Sequence, residues 1–165
     1  MDLRSVLNPL KEKYRSEPGS SRITLEATAS QEDTPISCSV DIGRAVYQAE
    51  AHAGVGGTGA AACSGDLLLG ALAACAQVTC QMVAEAMRIE AERIEVKVEG
   101  EMDLAGTLGI SKETPVGFES IRTTFKVEAP GATEEELENL RRKTEQYCVV
   151  FQTLVRPPRL ETEWM

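Results

Sequence analysis

The sequence predicts one α+β domain, with antiparallel sheet packed on helices. Three observations predict it. Residues 93–102 and 119–129 alternate apolar side chains with charged or polar ones, the mark of strands with one wet face. Residues 64–88 form a long, mostly apolar stretch that reads as a central helix. Thr133 followed by Glu136 is a capping box that opens a second helix. The chain has 165 residues, 42% of them apolar, which suits a single domain with a real core.

In order along the chain, residues 1–20 read as an N-terminal helical arm. Leu3, Val6, Leu7, Leu10 and Tyr14 keep helical spacing, and Pro9 is expected to interrupt it. "SEPGSS" at 16–21 is a turn or linker. Ile23, Leu25 and Ala27, then Cys38, Val40 and Ile42, keep a period of two and predict two half-buried strands. "AGVGGTGAA" at 53–61 predicts a flexible loop. Ser64 can cap the long helix, with Asp66 in its first turn, where an acid meets the positive end of the dipole. Leu68, Ala71, Leu72, Cys75, Thr79 and Met82 would share one face, and the helix should be central and buried.

Ile94, Val96 and Val98 define the next strand, and "AGTLG" at 105–109 a turn. Ile121, Thr123, Phe125 and Val127 define the strand after it. The capped helix turns Leu137, Leu140, Thr144 and Tyr147 inward. "VRPPR" ends the helical region, and "LETEW" is expected to add a last strand. There is no internal repeat.

The formal charge of −9 argues against nucleic acid or an anionic membrane as the main partner, since either needs a basic face. The N-terminus has charges throughout and no apolar run of signal-peptide type. The longest strictly apolar run, residues 67–76, is short and followed by Gln77, Gln81 and Glu85, so no bilayer span is expected. These features predict a cytoplasmic protein. Its five cysteines lack the density of a secreted disulfide scaffold and should be thiols unless a pair is redox-active.

Three of the five, Cys63, Cys75 and Cys80, fall within nineteen residues. Positions five apart on a helix lie about 140° apart, so Cys75 and Cys80 can neither share a metal nor form a disulfide in a regular helix. There is no CxxC and one histidine, His52, so no metal site is expected. From position alone Cys75 reads either as a small core residue or as a reactive thiol. Cys148 sits at a polar-to-apolar switch after a helix, where helix-end N–H dipoles could stabilise a thiolate.

Two stretches together resemble the OsmC/Ohr superfamily of thiol peroxidases. "SGDLLLGALAACAQVT" is similar to the family's acidic residue, apolar helix and mid-helix cysteine. "YCVVFQTL" is similar to its second-cysteine segment. Two strands and a helix separate them, as in the family, and the likeness extends over roughly residues 36–164. It looks closest to an OsmC-like branch carrying "CSGD".

The resemblance implies an OsmC-like fold in an intertwined homodimer with two sites at the subunit interface. It implies reduction of organic hydroperoxides without metal or bound cofactor. By resemblance Cys75 is the peroxidatic residue, Cys148 the resolving one and Asp66 the acidic partner. An external dithiol, a lipoyl protein in parts of the family, would return the electrons.

The family uses an Arg, held by the acidic residue, to lower the pKa of the first cysteine. Residues 48–63 here hold no Arg. Three readings stay open: His52 substitutes, Arg44 substitutes from an expected strand, or the activating cation is missing. Asp66 and Cys75, nine residues apart, lie about 180° apart and roughly 13 Å along a straight helix. One site using both needs another chain or a bridging residue. Two rival functions are a non-enzymatic pocket for a small apolar or thiol-reactive ligand, and a structural dimer whose cysteines are core residues.

Overall fold

A computed structural model describes residues 3–31, 37–43 and 45–165. The chain divides into two compact units, residues 1–69 with 100–121 and residues 70–99 with 122–165.

The first unit starts with α1 (Leu3–Ser16), which runs unbroken through Pro9 instead of being interrupted there. One helical bond is missing at residue 9, because proline has no N–H. A 3₁₀ turn at Pro18–Ser21 follows. Residues 22–27 form no strand, contrary to their period-two pattern, and Ile23 and Leu25 are exposed. Alternation predicts a strand only where another strand offers its ladder. The pairing begins later, in β1 (Thr28–Gln31), β2 (Ser37–Asp41) and β3 (Val46–Glu50). These form an antiparallel sheet in the order β1-β2-β3, with Thr28 opposite Asp41 and Ser37 opposite Glu50.

The glycine-rich segment after β3 is organised by Glu50. The Glu50 carboxylate accepts from Thr58 Oγ1 (2.9 Å), Thr58 N (3.3 Å) and Ala61 N (3.1 Å). Ala49 also bridges to Ala62. A 3₁₀ turn at Ala53–Val55 follows His52. Gly57 has no substitute here: a Cβ on it would lie 1.6 Å from the Ala51 carbonyl oxygen.

Helix α2 (Ser64–Met87) and strands β4 (Arg93–Glu101) and β5 (Ser120–Glu128) have residues in both units. β4 pairs with β5 in a separate two-stranded sheet. Glu119 N donates to Glu101 O at one end (2.8 Å) and Glu92 N to Glu128 O at the other (2.7 Å), the antiparallel arrangement. Burial alternates along both strands as the sequence implied. The expected turn at 105–109 contains a one-turn helix, α3 (Leu104–Thr107), capped by Asp103 through Ala105 N (2.8 Å).

In the second unit α2 buries Leu72, Ala76, Cys80, Val83 and Ala84. The face predicted to be inward is therefore rotated: Leu68 and Met82 are exposed. Most of the helix is uncovered by its own chain, although α2 is apolar and long enough to cross a bilayer by length and composition. Gln77 ties it to the sheet, donating from Nε2 to Ile94 O (2.8 Å).

Residue 88 takes a left-handed φ of 60°, and Ile89 N closes back on Ala84 O (2.9 Å). An Arg in that conformation costs about 1–2 kcal/mol. Helix α4 (Glu134–Tyr147) has the predicted capping box: Thr133 N donates to Glu136 Oε2 (2.8 Å), and Glu136 N to Thr133 Oγ1 (3.2 Å). Its Leu140 joins Cys80, Val83, Ala84 and Ile89 in the core. Burying such a leucine contributes about 1.5–3 kcal/mol.

A short helix, α5 (Val149–Val155), follows directly after Cys148. Residues 157–165 form no strand, contrary to the reading of "LETEW", and Leu160 and Trp164 are exposed. Pro157 and Pro158 lack donors, and among the described residues no strand receives this segment.

Candidate functional site

Cys75 lies mid-way along α2, half-buried. One turn on, the Thr79 hydroxyl faces its sulfur at 3.9 Å, as i and i+4 side chains do. Cys148 approaches from the α4–α5 junction. It is the C-cap of α4, with its N–H donating to Thr144 O (2.9 Å), and the N-cap of α5. Its backbone is extended (φ −71°, ψ 107°), so the chain turns a corner there. The corner places the Cys148 thiol and the first N–H groups of α5 beside Cys75.

Burial opposes ionisation of Cys75. The N–H of Val150, the Cys148 thiol, the Thr79 hydroxyl and the N–H of Val149 outweigh it, and the Cys75 thiol is held below its ordinary value. Cys148 goes the other way. Burial raises it, the charge on Cys75 adds to this, and the N–H groups of Phe151 and Val150 only partly offset them. Of the reduced pair, Cys75 is therefore the readier to ionise, and Cys148, 1% exposed, the readier to keep its proton.

The helix-end N–H groups expected near Cys148 act on both sulfurs: those of Phe151 and Val150 on Cys148, where burial outweighs them, and those of Val150 and Val149 on Cys75. No cation stands among the described groups that chiefly set Cys75. Arg44 lies outside the described residues.

The remaining predicted residues gather in the first unit. Cys63, not Ser64, holds the position before the helix. Asp66 Oδ2 accepts from Cys63 N (2.9 Å), and Leu67 N donates to Cys63 O (3.1 Å). The Cys63 N–H and thiol hold the Asp66 carboxyl below its usual range against burial, and the charge His52 carries when protonated adds to this. His52 caps its own 3₁₀ turn, with Gly54 N donating to Nδ1 (3.0 Å). That bond uses the Nδ1 lone pair, so the capping form carries its proton on Nε2.

Structure thus pairs Cys75 with Cys148, and Asp66 with Cys63 and His52. The sequence reading missed Thr79 as a donor, though its i+4 spacing from Cys75 was visible. It also missed the Val149 and Val150 amides, which no side-chain pattern reveals.

Cys80, five residues beyond Cys75, is 2% exposed in the core. Burial pushes its thiol up, and the Thr144 hydroxyl only partly offsets this. That sulfur is a weak partner, and Thr144 Oγ1 has no oxygen or nitrogen partner. Among the described residues no three His, Cys, Asp or Glu side chains converge as a metal site.

The sequence profile of OsmC-like proteins matches residues 57–163. No curated protein sequence matches the chain. Solved structures share its fold. An OsmC-like protein from Mycoplasma pneumoniae is 18% identical, with 82% of this chain and 89% of that one covered and a TM-score of 0.69. An organic hydroperoxide resistance protein from Legionella pneumophila is 20% identical, with coverage of 83% and 92% and a TM-score of 0.60. One from Elizabethkingia anophelis is 21% identical, with coverage of 83% and 91% and a TM-score of 0.60.

Proposed function

The chain belongs to the OsmC-like protein family, and from that premise we propose that it is a cysteine-based peroxidase for organic hydroperoxides. The observation that carries this reading is the Cys75–Cys148 pair, one thiol held low and the other, buried beside it, held high. A thiolate at Cys75 attacks the terminal oxygen of ROOH and becomes a sulfenic acid. Cys148 then closes a disulfide with it, which an external dithiol reopens by exchange. A dihydrolipoyl group on a protein is one such dithiol. The Legionella and Elizabethkingia structures, organic hydroperoxide resistance proteins by name, support the substrate class.

The working form is a homodimer in the cytoplasm. Leu68, Val78 and Met82 of α2 and Trp164 of the tail are exposed in the single chain, and a second copy would cover them. The donors around Cys75 supply the activation that the family draws from an Arg. Asp66, with His52 beside it, keeps the start of α2 in place in the supporting role.

The reading is tested by adding one equivalent of cumene hydroperoxide to the reduced protein. Mass spectrometry should show loss of two hydrogens, and peptide mapping should join the Cys75 and Cys148 peptides. A link to Cys63 instead, or no consumption of peroxide, overturns it. Cys148→Ser should complete one turnover and then over-oxidise at Cys75.

A further inference from the structure

Breaking the O–O bond of a hydroperoxide does two things at once. A sulfur–oxygen bond forms, and the second oxygen leaves with the electron pair as an alkoxide. An alkoxide is a much stronger base than a thiolate, and releasing it unprotonated in a half-buried site is costly. The proton has to come from a group beside the Cys75 sulfur. Thr79 and Cys148 are side chains with a transferable proton that hydrogen-bond it. Of the two a thiol is by far the stronger acid, and Cys148 is 1% exposed.

We infer that Cys148 acts twice in one turnover: its thiol proton passes to the departing alkoxide, and the thiolate left behind attacks the Cys75 sulfenic acid. This rests on the peroxidase reading of Cys75. The steps balance. Cys75–S⁻, Cys148–SH and ROOH give the disulfide, ROH and hydroxide. The peroxide gains two electrons, and each sulfur gives up one. The hydroxide displaced from the sulfenic sulfur passes to solvent, where a buffer acid neutralises it.

The surroundings of Cys148 change in the right direction during the reaction. Before attack, its proton is retained by burial and by the negative Cys75 next to it. Attack moves that charge onto the alkoxide and leaves Cys75 neutral. The repulsion that held the proton vanishes, while the Phe151 and Val150 N–H groups facing the Cys148 sulfur stay. Cys148 becomes acidic when a proton is needed and a nucleophile when a sulfenic acid awaits it.

The test compares leaving groups in single turnovers of the reduced protein. tert-Butyl hydroperoxide releases an alkoxide that needs a proton; peracetic acid releases a carboxylate that does not. Cys148→Ala should slow the first reaction by about 100-fold, the low end for general acid catalysis, and the second by no more than iodoacetamide alkylation of Cys75 slows in the same variant. Equal slowing of both peroxides would overturn the inference and leave Cys148 as a resolving residue only. If the variant fails to fold, the wild type decides. A solvent deuterium isotope effect with tert-butyl hydroperoxide and none with peracetic acid supports the inference, and equal effects overturn it. A wild type inert to both peroxides while Cys75 still alkylates rapidly overturns the peroxidase reading, and this inference with it.

Discussion

Cys75 and Cys80 lie on the same helix, five residues apart, and meet opposite surroundings. Cys75 is half-buried among donors: two backbone N–H groups, a hydroxyl and a thiol. Cys80 is buried against Val83, Ala84, Ile89 and Leu140, with one weak hydroxyl contact. The helix supplies neither difference. It only turns the two sulfurs about 140° apart, one toward the α4–α5 corner and the other into the core. What separates a nucleophile from a core atom here is the presence of N–H groups at the start of α5, where the first turn of a helix leaves them without intrahelical partners.

Peroxide turnover offers the sharpest contrast. Cys75→Ser should lower it by roughly 1,000-fold or more, because an alcohol without a strong base is a poor nucleophile. Cys80→Ala should stay within about twofold of the wild type, since nothing near it stabilises a thiolate. Loss of turnover in the folded Cys80 variant would break the comparison.

Alkylation at pH 6 comes next. Cys75 should react at least about tenfold faster than Cys80, as depressed thiols do, read by peptide mass spectrometry after brief iodoacetamide exposure. Thr79→Val should slow the Cys75 reaction by roughly threefold, equivalent to the loss of a weak hydrogen bond. Thr79→Ser should restore it, which a role in packing alone would not do.

The two thiols should also pull stability in opposite directions with pH. Cys75 has its folded value lowered, so its contribution is present above the unfolded value of about 8.5 and is lost as pH falls through the folded one. Cys80 has its folded value raised, so its contribution is present below about 8.5 and is lost as pH rises through the folded value. Between pH 7 and 10 in denaturant titrations, Cys75→Ala should steepen the alkaline loss of stability and Cys80→Ala should flatten it. The same direction in both variants would contradict the assignment.

Thr144→Val should have the smallest effect. It removes a buried hydroxyl with no oxygen or nitrogen partner. Unfolding should show a change within about 1 kcal/mol, in the stabilising direction.

The parts of this arrangement differed in how far they could be read from sequence. The β4–β5 pair was legible because half-burial forces a period of two, and the start of α4 because Thr133 and Glu136 satisfy each other's backbone. Cys75 was visible as a thiol in an apolar helix. The corner at Cys148 was less so, because "CVVFQTL" has no helix-starting side chain and α5 is too short to show a period. The Glu50 cage was hidden for another reason: its donors, Thr58 and Ala61, lie eight and eleven residues away in a segment whose glycines suggest freedom. Ile23, Leu25 and the "LETEW" tail misled because alternation describes a willing strand and not its neighbour.

One detail of the α4–α5 corner has a consequence for how the sequence is constrained. The Cys148 sulfur occupies the N-cap of α5, where the Phe151 and Val150 N–H groups meet it only as weak contacts, short of a full cap hydrogen bond. Ser, Thr, Asp or Asn at such a position typically adds about 1 kcal/mol. A search for stability alone would replace this cysteine early, and Ser, nearly its size, would be the first choice. Random mutagenesis selected only for thermal resistance should therefore drift toward Ser at position 148, while selection for growth under peroxide should hold Cys. The corner is a place where folding and chemistry vote for different residues.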